Sequence, residues 1–162
     1  MFTRLLEWLM PGLVIRPALP AERAGLEALQ WRASLANAGD RESLLANPDA
    51  IALPPGQIDD GHVLVAQRDG IIVGFAAVLP RPDGNAELDA LFVEPSLWKQ
   101  GVGRMLVDHC ADLARRRTSH ILHVIGNPHA EGFYRSCGFQ TTGVIETRFG
   151  AGLAMQRKLD SR

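Results

Sequence analysis

A chain of 162 residues, 46% of them hydrophobic, is long enough for one domain with a real core and too apolar for intrinsic disorder. Its formal charge of −1, from 17 basic and 18 acidic side chains, argues against a nucleic-acid binder, which carries a basic stripe. Two cysteines, Cys110 and Cys137, make no disulfide framework and fit a reduced, cytoplasmic setting.

Met1–Gly12 has the apolar look of a signal peptide, but Glu7 interrupts it, Arg4 is its one early positive charge, and no small-residue cleavage pattern follows. Nothing in the chain approaches the apolar length of a membrane span. The segment reads as an amphipathic lead-in that packs on the domain or on a second copy in a homodimer, ahead of a single domain over 13–160.

Leu13–Pro17 reads as a strand, and Pro20 suits the first turn of a helix to about Ala36, with Leu26, Leu29 and Ala33 at helical spacing. A short helix is expected over Arg41–Ala46. Pro48–Gly61, with Pro54-Pro55-Gly56 and Asp59-Asp60, reads as a loop of a length that is often functional. His62–Gln67 and Ile71–Leu79 form a hairpin around Asp69-Gly70. A third sheet strand, Ala86–Val93, carries Glu87 and Asp89 on one face and Leu88, Ala90 and Phe92 on the other, by simple alternation.

A helix from about Val102 to Arg117 follows, with Val102, Leu106, Cys110 and Leu113 on one face. Arg115-Arg116-Arg117 complements its C-terminal dipole, with an adenosine phosphate or an acidic partner as a second role. Ile121–Ile125 is a buried strand, and the strand–helix–strand order gives a right-handed crossover and a parallel pair. Asn127-Pro128 precedes a short helix through Ser136 that Gly138 stops. Thr142–Phe149 and Leu153–Leu159 close the chain as a hairpin across Gly150-Ala151-Gly152. The fold class is α+β, a mixed, mostly antiparallel sheet flanked by helices.

Leu91 to Leu106 is the most informative stretch. A strand leads through Gly101 and Gly103 into a helix, which gathers unpaired N–H groups where the macrodipole favours an anion. Such a place suits phosphate. It is no Walker loop, because Arg104-Met105 follows Gly103, and no dinucleotide fingerprint, because Leu106 stands where a third glycine belongs. A plain strand-to-helix turn that needs small residues for packing would read the same way.

A second segment, Asn127-Pro128-His129-Ala130-Glu131-Gly132-Phe133-Tyr134-Arg135-Ser136-Cys137-Gly138-Phe139, separates the two readings. Together with Gln100-Gly101-Val102-Gly103 it resembles the GNAT superfamily of N-acetyltransferases, whose motifs are Gln/Arg-x-x-Gly-x-Gly/Ala and Asn-x-x-Ala-x-x-Phe-Tyr-x-x-x-Gly-Phe. Trp98 departs from the first motif, where the family has Gln or Arg. The resemblance spans about Val14 to Leu159 and implies a parallel strand pair splayed around acetyl-CoA. It implies main-chain contacts from Leu91, Phe92 and Val93 to the pantetheine arm and the thioester oxygen, and from Gln100, Gly101, Val102, Gly103, Arg104 and Met105 to the pyrophosphate. Asn127 would serve the pantetheine arm or an ordered water; a turn residue before Pro128 is the alternative. The loop at Pro48–Gly61 corresponds to a region that helps form the family's acceptor site.

An alkylammonium has a pKa of about 10.4, so only about one molecule in 10³ carries a lone pair at neutral pH. Glu87 or Asp89 can accept that proton, directly or through water. A solvated strand face, or carboxylates that merely bind a cation, would look the same. A thiol of pKa about 8.5 can take a proton from a phenol of about 10 at a cost of about 2 kcal/mol. Tyr134, the single tyrosine, stands at the position of the family's general acid, or else packs with Phe133 and Phe139. His120 and His123 point to opposite faces of a strand, and His62, His109 and His129 show no ligand spacing, so no metal is expected. The activity implied is direct acetyl transfer to a small cationic primary amine, with no nucleic-acid or membrane partner. The alternative is a CoA-binding sensor that does not turn over.

Overall fold

The computed structural model describes residues 10–159. The lead-in expected over Met1–Gly12 therefore lies outside them except for its last three residues, of which Met10 is buried and accepts the Leu13 N–H. The elements in chain order are β1 (Leu13–Pro17), α1 (Arg23–Ala36), α2 (Ala38–Ala46), α3 (Pro55–Asp59), β2 (Val63–Arg68), β3 (Ile71–Pro80) and β4 (Ala86–Val93). Next come α4 (Val102–Arg116), β5 (Ile121–Gly126), α5 (Glu131–Ser136), β6 (Gln140–Thr147) and β7 (Gly150–Lys158). The strands form a seven-stranded sheet in the order β1-β2-β3-β4-β5-β7-β6. Among the described residues β4–β5 is the one parallel pair.

The sheet has a core on each face. On one, α4 seats Met105, Leu106, Val107 and Cys110 against Val78, Leu88, Leu122 and Met155. On the other, α1 seats Leu26 and Leu29 against Val63, Val65, Phe75 and Ala77. Strand alternation supplies both layers: Leu64 and Ala66 face α4 while Val63 and Val65 face α1. Each fully buried aliphatic side chain here contributes about 1.5–3 kcal/mol of transfer free energy.

Two features of the sheet open a gap between β4 and β5. Asn85 accepts the N–H groups of His120 and Ile121 on its side-chain oxygen, each at 3.1 Å, and so fastens the start of β5 beside the start of β4. The two strands then pair over Ala86–Leu88 alone. One residue further, β4 bulges. Val78 pairs with Leu88 and Ala77 with Ala90, which leaves Asp89 as an extra residue. A bulge adds twist and shifts the alternation by one. Ala86 and Leu88 accordingly face α4, whereas Ala90 and Phe92 face α1, with the Phe92 ring 5.5 Å from that of Phe75. The common face expected for Leu88, Ala90 and Phe92 is thus wrong, because alternation holds only in an unbroken strand.

Two further expectations change. The Pro48–Gly61 stretch is structured, with a 3-10 turn at Pro48–Ala50 and α3, and it buries Leu53 and Ile58 against α1. Arg23 Nε donates to Leu53 O at 2.7 Å, and Glu27 accepts the Leu53 N–H at 3.1 Å. The last hairpin turns at Arg148-Phe149, since Thr147 already pairs with Gly150. Gly152 lies within β7, paired with Ile145, where a Cβ would come 2.8 Å from Ile125 Cγ2.

Candidate active site

Beyond Leu88, β4 has no partner on its β5 side among the described residues, and the ladder with β3 decides which groups face that gap. The Glu94 N–H donates to Val73 O at 2.8 Å. Hydrogen-bonded pairs alternate in an antiparallel ladder, so Phe92 also spends its N–H and C=O on β3. Leu91 and Val93 turn theirs into the gap. Trp98 Nε1 donates to Val93 O at 2.8 Å, which is what the departure from the glycine-turn motif does here. The Leu91 N–H and C=O and the Val93 N–H remain toward the gap.

The glycine turn opens beside it. Gly101 is the N-cap of α4 in the left-handed region, φ 96°, and no side chain among the described residues caps the helix. The first-turn donors are the N–H groups of Gly101, Val102, Gly103 and Arg104. Met105, expected among them, differs: its N–H donates to Gly101 O at 3.1 Å and its side chain is buried. Gln100 donates its side-chain amide to Ser96 O at 3.4 Å. A Cβ on Gly103 would come 3.2 Å from Phe133 Cζ, so α5 closes over the helix start and leaves the backbone bare there.

Tyr134, next to Phe133, lies across Gly126 at the end of β5. A Cβ on Gly126 would come 3.1 Å from both Cδ2 and Cε2 of the ring. The ring meets Phe133 and Phe139 edge-on, at 5.2 and 5.6 Å between centroids. Burial, and then the neighbouring Cys137 and Asp40, push its phenol up to about 12. Packing and a place at the gap therefore coexist. Burial also raises Cys137 above the ordinary thiol range, and Cys110, wholly buried, to about 12, so neither thiol is activated.

Asn127 is a turn residue with a second tie. Its Oδ1 accepts the His129 N–H at 2.9 Å and its Nδ2 donates to Asp40 Oδ1 at 2.7 Å. Asp40 belongs to the first turn of α2, and a Cβ on Gly39 would come 2.6 Å from the His129 ring. Helix α2 thus sits on the Asn127–His129 segment. Asp40 carries no sequence signal for this; only the fold brings it here.

The two carboxylates of β4 have separate surroundings. Asp89, at the bulge, is exposed, yet the protein around its carboxyl raises it above the usual range. Glu87 lies 3.9 Å from Arg81 and stands in register beside His123 of β5. Glu87 and His123 line a cavity of about 160 Å³ with Thr142, Ile145 and Met155. Sequence reading missed His123, whose spacing from His120 speaks only to a metal.

Some expected groups are not brought together. Arg117, just past the end of α4, donates to Gly61 O at 3.0 Å and lies 2.8 Å from His62 Nδ1. With 15 residues, α4 is about 22 Å long. Asp59-Asp60 and the arginine run therefore sit at the opposite end of that helix from the glycine turn. Among the described residues no group of His, Cys, Asp or Glu is arranged to hold a metal ion. No described helix is long and apolar enough to cross a membrane.

Comparison with known proteins identifies the family that shares this arrangement. Residues 25–139 match the model of the Acetyltransferase (GNAT) family, and the chain belongs to that family. It is 41% identical over 84 residues to the peptidyl-lysine N-acetyltransferase YjaB of Escherichia coli (strain K12), covering 52% of each chain. The chain thus spans about half the length of this relative. Among solved structures, the ribosomal-protein-alanine N-acetyltransferase of Brucella melitensis is similar at a TM-score of 0.69 and 28% identity, over 90% of this chain and 99% of that one. The yncA structure of Salmonella typhimurium, which holds its cofactor acetyl-CoA, shares the fold at a TM-score of 0.70 and 24% identity, over 94% and 96% of the two chains.

Proposed function

We infer that this protein is an N-acetyltransferase that moves an acetyl group from acetyl-CoA to a primary amine by direct transfer. The observation that carries the reading is the convergence of three features: the free edge of β4, the uncapped start of α4 and Tyr134 across Gly126. Main-chain donors from Gly101 to Arg104 hold the pyrophosphate, with Gln100 at their flank. Leu91 and Val93 pair with the pantetheine arm as an added strand does, and one of their N–H groups polarises the thioester oxygen. Acetyl-CoA supplies the activated acyl group.

Glu87 or Asp89 draws a proton from the acceptor ammonium, and the raised carboxyl of Asp89 suits it to that role. The freed amine attacks the thioester carbon, the C–S bond breaks, and Tyr134 gives its phenolic proton to the departing thiolate. With the phenol near 12, a complete proton transfer to a thiolate of pKa about 8.5 is uphill by about 5 kcal/mol. The transfer therefore runs with C–S cleavage, not after it. A small cationic amine or a lysine side chain suits this site, and the reduced thiols suit a cytoplasmic enzyme.

Thermal unfolding with and without acetyl-CoA tests the reading. At 100 times Kd the ligand adds about 2.7 kcal/mol, a rise of about 5–10 °C in Tm. Gly101→Val, which places a branched side chain at positive φ, and Gly103→Val, which meets Phe133, abolish the rise. No rise with the wild type overturns the cofactor assignment. A rise without thiol release across an amine panel makes the protein a sensor.

A further inference from the structure

His123 stands beside Glu87 in the parallel register of β4 and β5, and its Nε2 is enclosed with no hydrogen-bond partner among the described residues. Native interiors rarely leave such an atom unpaired, so a water or an arriving group completes it. The cavity at this place, about 160 Å³, has polar and apolar sides. Thr142 Oγ1 donates to Ala154 O at 3.1 Å, which leaves its lone pairs to accept. The Glu87 carboxylate accepts as well. Burial and then Arg81 lower His123 below its ordinary pKa, against the pull of Asp83 and Glu87, which favours the neutral ring with one acceptor nitrogen.

Among the described residues Arg81 is the one cation on the lining. It lies 3.9 Å from Glu87, so the one cation and the one carboxylate of the lining offset each other, while Asp83, 3.3 Å from Arg81, stands off the lining. The Glu87 carboxylate, His123 Nε2 and Thr142 Oγ1 are three acceptors that match the three N–H donors of a primary ammonium. Ile125, Ile145 and Met155 offer an apolar wall for the carbon chain behind it. Ile125 is also the neighbour of Gly126, and strand alternation puts Ile125 and the Tyr134 ring on opposite faces of β5.

We propose that this cavity is the amine subsite of the acceptor, with one ammonium N–H each to the Glu87 carboxylate, His123 Nε2 and Thr142 Oγ1. Secondary amines fill it poorly and quaternary ones not at all. Binding stands by itself; its catalytic consequence rests on the acetyltransferase reading. There, an ammonium N–H bond breaks, the proton passes to the Glu87 carboxylate, and the nitrogen keeps the electron pair that attacks the thioester carbon. The C–S bonding pair leaves on sulfur, which takes the Tyr134 proton.

The imidazole nitrogen resonances of His123 in the full chain, titrated with n-butylammonium and with butyltrimethylammonium, test the binding. A shift with the primary ion alone supports the subsite; no shift, or equal shifts, overturns it. Kinetics give a second arm. Thr142→Val and His123→Phe each raise the acceptor KM about tenfold to a hundredfold while the Tm rise with acetyl-CoA stays. Turnover with wild-type KM in both variants overturns the subsite and leaves the acetyltransferase reading intact. If the wild type acetylates no amine, that reading fails, and the resonance titration still decides the subsite.

Discussion

Tyr134→Phe removes one oxygen from a ring held by Gly126, Phe133 and Phe139, and it separates the packing of this residue from its proton. Burial is the main cause that raises the phenol from its ordinary 10 to about 12. Only the neutral form is favoured by the fold, so the stabilisation is complete below the unfolded pKa of about 10 and disappears as pH climbs through the folded value. A shift of two units is worth about 2.7 kcal/mol. Between pH about 10 and 12 the wild type should therefore lose about that much more stability than Tyr134→Phe. Urea unfolding of both proteins across this range measures the difference. Tyr134 is the one tyrosine of the chain, so phenolate absorbance reports it alone, with circular dichroism followed in the same samples. A phenolate midpoint near 10 in a protein still folded, or parallel losses in the two chains, would refute the burial argument. At neutral pH the variant should keep its fold and its acetyl-CoA-dependent Tm rise but lose about 10²–10⁴ in kcat if the hydroxyl is the acid. Unchanged kcat would leave Tyr134 a packing residue.

Gly126→Ala should move the same ring by a different route, since its Cβ would lie 3.1 Å from two ring atoms; overpacking of this kind costs about 1–3 kcal/mol in urea unfolding, and kcat should fall more than acetyl-CoA binding. Leu26→Ala, on the face of the sheet away from α4, should cost about 2–5 kcal/mol and leave the Tm rise with acetyl-CoA in place. Arg32→Ala breaks a two-bond contact with Glu94 at 3.0 and 2.8 Å, but half of its side chain is exposed, so urea unfolding should register less than about 1 kcal/mol.

What the sequence by itself determined is what local chemistry can write. Asp69-Gly70 takes positive φ at both residues and turns the β2–β3 hairpin, and Gly101 at positive φ opens α4 after a strand. The crossover from β4 through α4 to β5 then makes a parallel pair, as its order requires. Those signals were enough for the fold class and the place of the glycine turn. The hairpin between β6 and β7 was legible in kind but not in position. Its glycines suggest a turn at Gly150–Gly152, whereas Gly152 serves a close approach of Ile125 that no neighbour in the chain announces.

Tertiary structure decided the rest, and the reason is register. Alternation predicts a common face for Leu88, Ala90 and Phe92 until pairing with β3 leaves Asp89 over as a bulge, which changes faces at the point where β4 and β5 part. Which backbone groups of Leu91, Phe92 and Val93 are free is set by the same ladder, not by their side chains. Asp40 meets Asn127 across 87 residues, and Glu87 meets His123 because two strands lie in one register. A chain can encode a turn in two residues. It can encode a neighbour across a sheet only through the packing of all that lies between.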